Sequence, residues 1–278
     1  MAWVEVNGTD IHYVERGAGQ PLVFLHGMSS CAEAWFQQFE AFAGTYRLIA
    51  YDSVNHGHSA NSRRGEPEPD RVDELEGVLG ALNLERPVLA GNSMGAMTLL
   101  RWAIRHPTTA AALIPSGMGV RDAAGATLAR WMSEPLDHEV LLLPVGDSFT
   151  ERFRKEQSQL FERYLRLRST ATRIEALRDP RTPTAHFPDR AELAELVPKI
   201  ASPMQIVVGE VDRLRPAAER LHELVPHSRL DVIAGAPHNV YYEAAGEYNR
   251  IVRTFLAHVL EMAARVSGEL HGFLTPVL

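Results

Sequence analysis

Short apolar runs alternate with amphipathic segments along most of the chain. The amphipathic segments, such as 71–84 and 216–225, carry apolar residues at the spacing of a helix. The apolar runs end in Gly, Asp, Ser or His, and they lie at 21–27, 46–52, 87–93, 111–117, 203–212 and 229–238. This alternation predicts an α/β fold, in which right-handed helical crossovers join strands into a mostly parallel twisted sheet flanked by helices. In such sheets, functional side chains collect at the carboxyl ends of the strands.

The N-terminal segment has a different pattern. The stretches "WVEV" and "IHYVE" stand on either side of Asn7-Gly8. This arrangement predicts an antiparallel hairpin with a two-residue turn. Asn7-Gly8-Thr9 also matches a glycosylation sequon, but the hairpin turn explains these residues more simply.

The regular alternation stops between about 121 and 190. This stretch is rich in Arg and Glu, and its apolar residues from 153 to 167 can share helical faces. Positive and negative charges are mixed, which favours a solvated helical surface over an anionic partner. We interpret residues 121–190 as a small helical insertion, and residues 1–120 and 191–278 as the core.

Composition and charge argue against several classes of protein. The 278 residues are 45% hydrophobic and 23% charged with a formal net charge of -7, which gives no reason to expect a nucleic-acid partner. Cys31 is the only cysteine, so an intramolecular disulfide is excluded and a reducing compartment fits best. The N-terminus lacks a basic and then apolar leader, and no apolar run approaches the ~18 residues of a membrane span. We therefore expect a cytoplasmic protein without a membrane partner.

The C-terminal segment suggests a hypothesis about assembly. The stretch "GELHGFLTPVL" (268–278) is apolar enough to dock against the body of the protein or against a second subunit. A homodimer is therefore one hypothesis, and a monodisperse monomer in sedimentation at micromolar concentration would remove it.

A lone serine stands between two glycines in "PVLAGNSMGAMTLL" (87–100). The run before it predicts a buried strand, and the apolar residues from Ala96 onward have helical spacing, so Ser93 falls on a strand-to-helix turn. A nucleophile on such a turn projects its oxygen away from the sheet, and the flanking glycines let strand and helix approach closely. The next residue, Met94, offers a backbone N–H at a helix N-terminus, where partial positive charge can stabilise an oxyanion.

Two further groups that serine catalysis needs follow at the ends of later strands. A serine hydroxyl needs a base to take its proton, and the base needs a carboxylate that fixes its tautomer and orientation. Asp212 ends one strand in "VVGEVD", and His238 follows the next in "IAGAPH". Asp122 is a competing acid, but it lies several residues beyond Gly117 at the end of its strand, so Asp212 is preferred.

These motifs resemble those of the α/β-hydrolase superfamily, in the branch with a serine nucleophile and a helical cap. The similarity runs from "LVFLHG" to the final helix near "YNRIVRTFLAHVL", and the 121–190 insertion stands where that family carries its cap. The resemblance implies that Ser93 is the nucleophile, His238 the general base and acid, and Asp212 its orienting partner. The "HGM" sequence is similar to the family's oxyanion loop, which implies that the backbone N–H groups of Met28 and Met94 form the oxyanion hole.

One stretch departs from the family pattern. The sequence "DSVNHGHS" (52–59) is similar to the family's D-x-x-G-x-G-x-S turn, but Asn55 replaces the first glycine. Asn tolerates a positive φ better than most residues, so we expect the turn to survive. His56 and His58 suggest metal ligands, but the H-x-H-x-D-H pattern of metallo-hydrolases is not completed after them. We therefore expect neither a metal nor another cofactor.

The leading functional prediction is a serine hydrolase that acts on a small-molecule substrate. It would cleave a carboxylic ester, lactone or thioester of a small to medium apolar compound through an acyl-enzyme. One alternative is C–C bond hydrolysis, because "GNSMG" and "IPSGMG" are similar to the meta-cleavage-product hydrolases, although "HGMSSC" and Asn239 depart from that group. Cofactor-free perhydrolase or dioxygenase activity and a non-catalytic binding protein are the remaining alternatives.

Overall fold

Every apolar run of the sequence pattern forms a strand in the computed structural model, which describes residues 2–61, 69–120, 148–171 and 190–272. These residues contain one eight-stranded sheet with the spatial order β1-β2-β4-β3-β5-β6-β7-β8. The strands are β1 (Ala2–Val6), β2 (Thr9–Arg16), β3 (Pro21–Leu25), β4 (Arg47–Tyr51), β5 (Val88–Asn92), β6 (Ala112–Ser116), β7 (Gln205–Gly209) and β8 (Arg229–Ile233). Strands β3 to β8 pair in parallel, so the predicted mostly parallel α/β sheet is confirmed.

The N-terminal hairpin forms the antiparallel edge of the sheet. β1 pairs with β2 from Ala2↔Tyr13 to Val6↔Thr9, and β2 pairs antiparallel with β4. The two turn residues, Asn7 and Gly8, have φ values of 51° and 76°. Two successive positive φ values are characteristic of the tight turns that suit the twist of a hairpin, so the predicted turn is confirmed.

Helices cover both faces of the sheet. They are α1 (Phe36–Phe42), α2 (Arg71–Ala81), α3 (Met94–Arg105), α4 (Glu151–Glu156), α5 (Ser158–Ala171), α6 (Arg190–Leu196), α7 (Arg215–Leu224), α8 (Val240–Glu243) and α9 (Ala245–Gly272). The helix predicted for 71–84 ends at Ala81, and Asn83 leaves the helical region with a φ of 51°. None of the helices in the described ranges is long and apolar enough to cross a membrane.

The strands are buried on both sides, which leaves their ends as the place for chemistry. In β3, Val23 and Leu25 pack into a core with α2, α3 and α7. Leu22 and Phe24 point the other way and pack with α1, α8 and α9. Because successive side chains of a strand alternate between faces, the apolar run of a central strand serves both layers.

The described part of the 121–190 stretch is helical. The Thr150 hydroxyl caps α4 by accepting the backbone N–H of Phe153 at 3.1 Å. The α5 helix packs over α8, since the Tyr242 hydroxyl donates to the Leu160 carbonyl at 3.0 Å. Residues 121–147 and 172–189, and with them the competing acid Asp122, lie outside the described residues. The limits of the insertion therefore stay a prediction.

Candidate active site

Ser93 occupies a strained turn between β5 and α3. Its φ and ψ values are 53° and -111°, a conformation that residues with a Cβ rarely adopt. The backbone on both sides holds it there, because its N–H donates to the Ser116 carbonyl at 2.9 Å and its carbonyl accepts the Met97 N–H at 3.0 Å. Strain of this kind costs about 1–3 kcal/mol and is concentrated at functional sites. The turn therefore marks Ser93 as a candidate functional residue.

The two glycines of the motif allow this turn to be sharp. A Cβ at Gly91 would lie 2.5 Å from the carbonyl carbon of Gly95. A Cβ at Gly95 would lie 2.2 Å from the carbonyl oxygen of Leu25, on the neighbouring strand β3. Only glycine fits at either position, because the obstructing atoms belong to the backbone and cannot rotate away.

The loop after β3 passes directly beside Ser93. A Cβ at Gly27 would lie 3.4 Å from the Ser93 Cβ, and the loop turns back where the Ser30 N–H donates to the Gly27 carbonyl at 3.1 Å. Met28 follows Gly27 and is 40% exposed, while Met94 begins α3 and is buried. Neither backbone N–H has an acceptor among the described residues. The loop of Met28 and the start of α3 thus each bring one backbone N–H without a described acceptor close to the serine.

His238 and Asp212 form a hydrogen-bonded pair at the same edge of the sheet. The His238 Nδ1 lies 3.0 Å from the Asp212 Oδ2, and the Asp212 Oδ1 accepts the backbone N–H of Leu214 at 2.9 Å. Asp212 is only 5% exposed, whereas one fifth of the His238 side chain is exposed. A carboxylate can only accept, so we assign the Nδ1 proton to His238, which leaves its Nε2 as an acceptor.

The end of β6 links this pair to the serine turn. Ser116 accepts the Ser93 N–H, and the next residue, Gly117, has a φ of 60°. A Cβ at Gly117 would lie 3.0 Å from both the His238 Cε1 and the Asn92 Oδ1. Among the described residues no hydrogen bond joins the Ser93 hydroxyl to the His238 ring. Such bonds are often long before substrate binds.

His26 holds the loop that carries Met28. It is buried, its Nδ1 contacts the Gly27 carbonyl at 2.8 Å, and its Nε2 accepts the Ser53 N–H at 3.1 Å. Burial lowers the pKa of His26, with the nearby Asp52 carboxylate opposing this shift. A neutral ring with its proton on Nδ1 satisfies both contacts, so His26 positions the loop.

Asp52 organises the turn that follows β4. Its carboxylate accepts the Ala32 N–H at 2.7 Å, the His58 N–H at 2.9 Å and the His12 Nδ1–H at 2.8 Å. The turn survives the departure from the family pattern as predicted, because Asn55 adopts a φ of 67°. His12, Asp52 and His58 also bring three potential metal-ligand atoms within 4.8 Å. Since the carboxylate already accepts from both histidine residues, we interpret this group as the hydrogen-bond network of the turn.

Replacing Asp52 with asparagine is expected to lower the free energy of unfolding by about 2–4 kcal/mol. The amide nitrogen would face donors where a carboxylate oxygen now accepts. Burial alone would raise the pKa of Asp52, but the hydrogen bond from His12 and the other donors outweigh it and lower the pKa below its ordinary 3.8. The stability that the ionised Asp52 carboxylate contributes is therefore complete above its ordinary pKa of 3.8. It is lost as the pH falls through the lower pKa that Asp52 has in the folded protein.

Urea unfolding of wild type and Asp52→Asn between pH 3 and pH 8 measures the contribution of the Asp52 carboxylate. The difference in the free energy of unfolding between the two proteins should be constant from about pH 5 upward and should shrink below about pH 4. Asp73→Asn is the control, since Asp73 is exposed and pairs with Arg105 at the surface, and it should change stability by less than about 1 kcal/mol. A difference that grows as the pH falls would contradict the assignment.

A polar network beside the candidate triad was not predicted from the sequence. The Asn92 amide donates to the Asn239 side-chain oxygen, and the Asn239 amide donates to the Tyr164 hydroxyl, both at 3.2 Å. The network therefore connects the neighbours of Ser93 and His238 to helix α5. In the sequence, Asn239 stands out only as a departure from the meta-cleavage-product hydrolases, and nothing in the local sequence distinguishes Tyr164 from a core residue.

Comparison with known families identifies the chain. The family model described as "Alpha/beta hydrolase family" matches residues 22–251, a range that includes Ser93, Asp212 and His238. The chain belongs to this family. The eight-stranded, mostly parallel sheet of this alpha/beta hydrolase agrees with that membership.

Relatives of this alpha/beta hydrolase include several kinds of hydrolase. The 2-hydroxy-6-oxononadienedioate/2-hydroxy-6-oxononatrienedioate hydrolase 2 of Pseudomonas putida is 30% identical over 275 residues, 89% of this chain and 92% of that protein. Serine hydrolase BPHL of Homo sapiens is 27% identical and covers 92% of this chain and 86% of its own length. A thermophilic esterase from Thermogutta terrifontis has a similar fold, with a TM-score of 0.79 at 21% identity over 93% of this chain and 98% of the esterase.

Other similar proteins are an N-acyl homoserine lactone degrading enzyme and a non-heme chloroperoxidase of Kitasatospora aureofaciens. The first has a TM-score of 0.73 at 23% identity over 91% of this chain and all of that chain. The second is 37% identical over 37% of this chain and 38% of its own length. These relatives share a fold but differ in the reaction that their names describe, so fold alone does not select a substrate.

Proposed function

We propose that this alpha/beta hydrolase is a serine hydrolase that cleaves a carboxylic ester, lactone or thioester of a small to medium, largely apolar substrate. The observation that carries the proposal is the strained Ser93, which lies beside the loop of Met28 and at the edge where His238 pairs with Asp212.

Acylation uses each of these groups at a specific atom. The Ser93 Oγ attacks the carbonyl carbon while the His238 Nε2 takes the hydroxyl proton. The backbone N–H groups of Met28 and Met94 donate to the oxygen that becomes negative in the tetrahedral intermediate. Asp212 keeps the Nδ1 proton in place and stabilises the imidazolium. His238 then protonates the leaving group, and an acyl ester remains on Ser93.

Deacylation repeats the sequence with water in place of the serine hydroxyl. His238 takes a proton from the water, whose oxygen attacks the acyl carbon, and the same two N–H groups hold the oxyanion. Collapse of this intermediate returns the proton to Ser93 and releases the acid. The reaction needs only groups that this chain supplies.

A second candidate is hydrolysis of a C–C bond in a vinylogous diketone. The relative from Pseudomonas putida supports it, because that protein is named as a hydrolase of 2-hydroxy-6-oxononadienedioate and matches most of this chain at 30% identity. The two candidates differ in the bond that breaks, and both would use the Ser93 site.

Competition between water and methanol tests the acyl-enzyme. The purified protein is given 4-nitrophenyl hexanoate, phenyl hexanoate and the hexanoyl thioester of N-acetylcysteamine in dilute methanol. A common acyl-enzyme predicts the same ratio of methyl hexanoate to hexanoic acid from all three compounds, because the leaving group has departed before the partition.

Two results would contradict the proposal. A ratio that changes with the leaving group would mean that no common acyl-enzyme forms. No turnover of esters, lactones or thioesters, together with turnover of a 2-hydroxy-6-oxo-dienoate, would favour the C–C hydrolase instead.

A further inference from the structure

One face of α5 lies over the loop that carries His238. Leu160, Tyr164 and Arg168 are spaced four residues apart, so they share this face. The Leu160 carbonyl accepts from Tyr242, and one turn later the Tyr164 hydroxyl accepts from Asn239, the neighbour of His238. The contacts of the helix thus approach the candidate active site turn by turn, and Arg168 comes one turn after Tyr164.

Arg168 is a buried cation that has no anionic partner within the part of the chain that the structure describes. It is 8% exposed, its Nε is fully buried, and that nitrogen has no acceptor among the described residues. No carboxylate within those residues pairs with it. Burial lowers the pKa of Arg168, and the nearby Tyr164 hydroxyl acts in the opposite direction. An arginine keeps its charge in a protein, so no described carboxylate offsets the cost of burying this one.

The other arginines of this helix show what a surface role looks like. The Arg166 side chain is 70% exposed and pairs with Glu162 at 3.8 Å. Arg163 lies over the ring of Phe36, with 3.5 Å from its Cζ to the ring centroid. Of these three arginines, Arg168 is the buried one, and neither a carboxylate nor an aromatic face of the described residues compensates its charge.

Hydroxyl groups surround the Tyr164 side chain. The Ser30 hydroxyl is buried and lies within hydrogen-bonding reach of the Tyr164 and Tyr241 hydroxyls. Ser30 belongs to the loop that carries Met28, so hydroxyl groups of this loop and of α5 meet one turn from Arg168. Hydroxyl donors near a buried cation favour a polar, negatively charged group.

We propose that Arg168 binds a carboxylate of the substrate, so that the preferred ester, lactone or thioester has an apolar body with one negative charge. The inference rests on the proposed function, since it concerns the same site. A guanidinium presents parallel N–H groups that match the two oxygens of a carboxylate. One buried cation balances one anionic charge, and Arg168 binds and orients the substrate without taking part in bond breaking.

Two esters that differ only at the far end of the acyl chain test this inference. They are mono-4-nitrophenyl adipate, which ends in a carboxylate, and 4-nitrophenyl hexanoate, which ends in a methyl group. Arg168→Met should lower kcat/KM for the adipate ester by at least about 30-fold and change that for the hexanoate by less than about 3-fold, because only the first loses a charge-assisted contact. Arg168→Lys, which keeps the charge but loses the fork, should fall between wild type and Arg168→Met.

Arg166→Met is the matched control, because it removes a positive charge from the same helix at an exposed position. It should leave both esters within about 3-fold of wild type. The thermal midpoint of Arg168→Met should equal or exceed that of wild type, since an uncompensated buried charge is removed. An equal loss on both esters, an unchanged adipate rate or a lowered midpoint would each overturn the inference.

A binding measurement separates this inference from the proposed function. Calorimetry with adipate dianion is performed on Ser93→Ala and on the double variant with Arg168→Met. Binding to the first and at least about 10-fold weaker binding to the second supports the carboxylate site even if wild type hydrolyses neither ester. Equal affinity for both proteins overturns it, whatever the hydrolytic activity.

Discussion

Ser93→Ala is expected to lower kcat for ester hydrolysis by at least about 10⁴-fold, because the variant has no nucleophile. Its free energy of unfolding should stay within about 1 kcal/mol of wild type, since alanine keeps the Cβ and the same strained backbone. Ser93→Gly should be equally inactive. Because glycine adopts a φ of 53° without strain, this variant should be more stable than Ser93→Ala by about 1 kcal/mol.

Steady-state hydrolysis and urea unfolding of the three proteins check both halves of this prediction. If Ser93→Ala kept more than one tenth of the wild-type rate, another residue would be the nucleophile. If the glycine variant were less stable than the alanine variant, the backbone at residue 93 would not be strained.

Asp212→Asn is expected to lower kcat by about 10³- to 10⁴-fold with little change in structure. The asparagine oxygen can still accept the Leu214 N–H, but its amide nitrogen would donate toward the His238 Nδ1. That contact favours the tautomer with the proton on Nε2, the atom that must accept the serine proton. Asp212→Asn therefore holds His238 in a tautomer that cannot accept the serine proton, and the loss of activity should appear in kcat.

Asp231→Asn is the matched control for this substitution. Asp231 lies on β8 and accepts from Gln205 at 2.9 Å, away from the Ser93 turn. The Asp231→Asn variant should keep kcat within about 2-fold of wild type. A similar loss in both variants would show that any change to these strands disturbs the site, and a normal rate for Asp212→Asn would remove it as the orienting acid.

The sequence predicts those parts of the site that local pattern determines. Ser93, Asp212 and His238 each follow an apolar run, and the carboxyl ends of parallel strands meet at one edge. Their approximate position therefore follows from the strand pattern alone. The predicted strand ends differ from the observed ends by a few residues, because apolar runs continue into the buried loops that carry these side chains.

The surroundings of the site could not be predicted in the same way. Arg168 lies among charged residues whose local pattern resembles a surface helix. Tyr164 belongs to the apolar face of the same helix, but its contact with Asn239 depends on how α5 packs over α8, and this packing is a tertiary property. A buried arginine is distinguished from its exposed neighbours only when the partners of each guanidinium can be compared.

Whether Ser93 is an activated nucleophile can be determined from the intact mass of the protein after treatment with a small fluorophosphonate. We expect a single adduct on wild type, no adduct on Ser93→Ala and a much slower adduct on Asp212→Asn. An adduct on both wild type and Ser93→Ala, or none on wild type, would contradict this expectation.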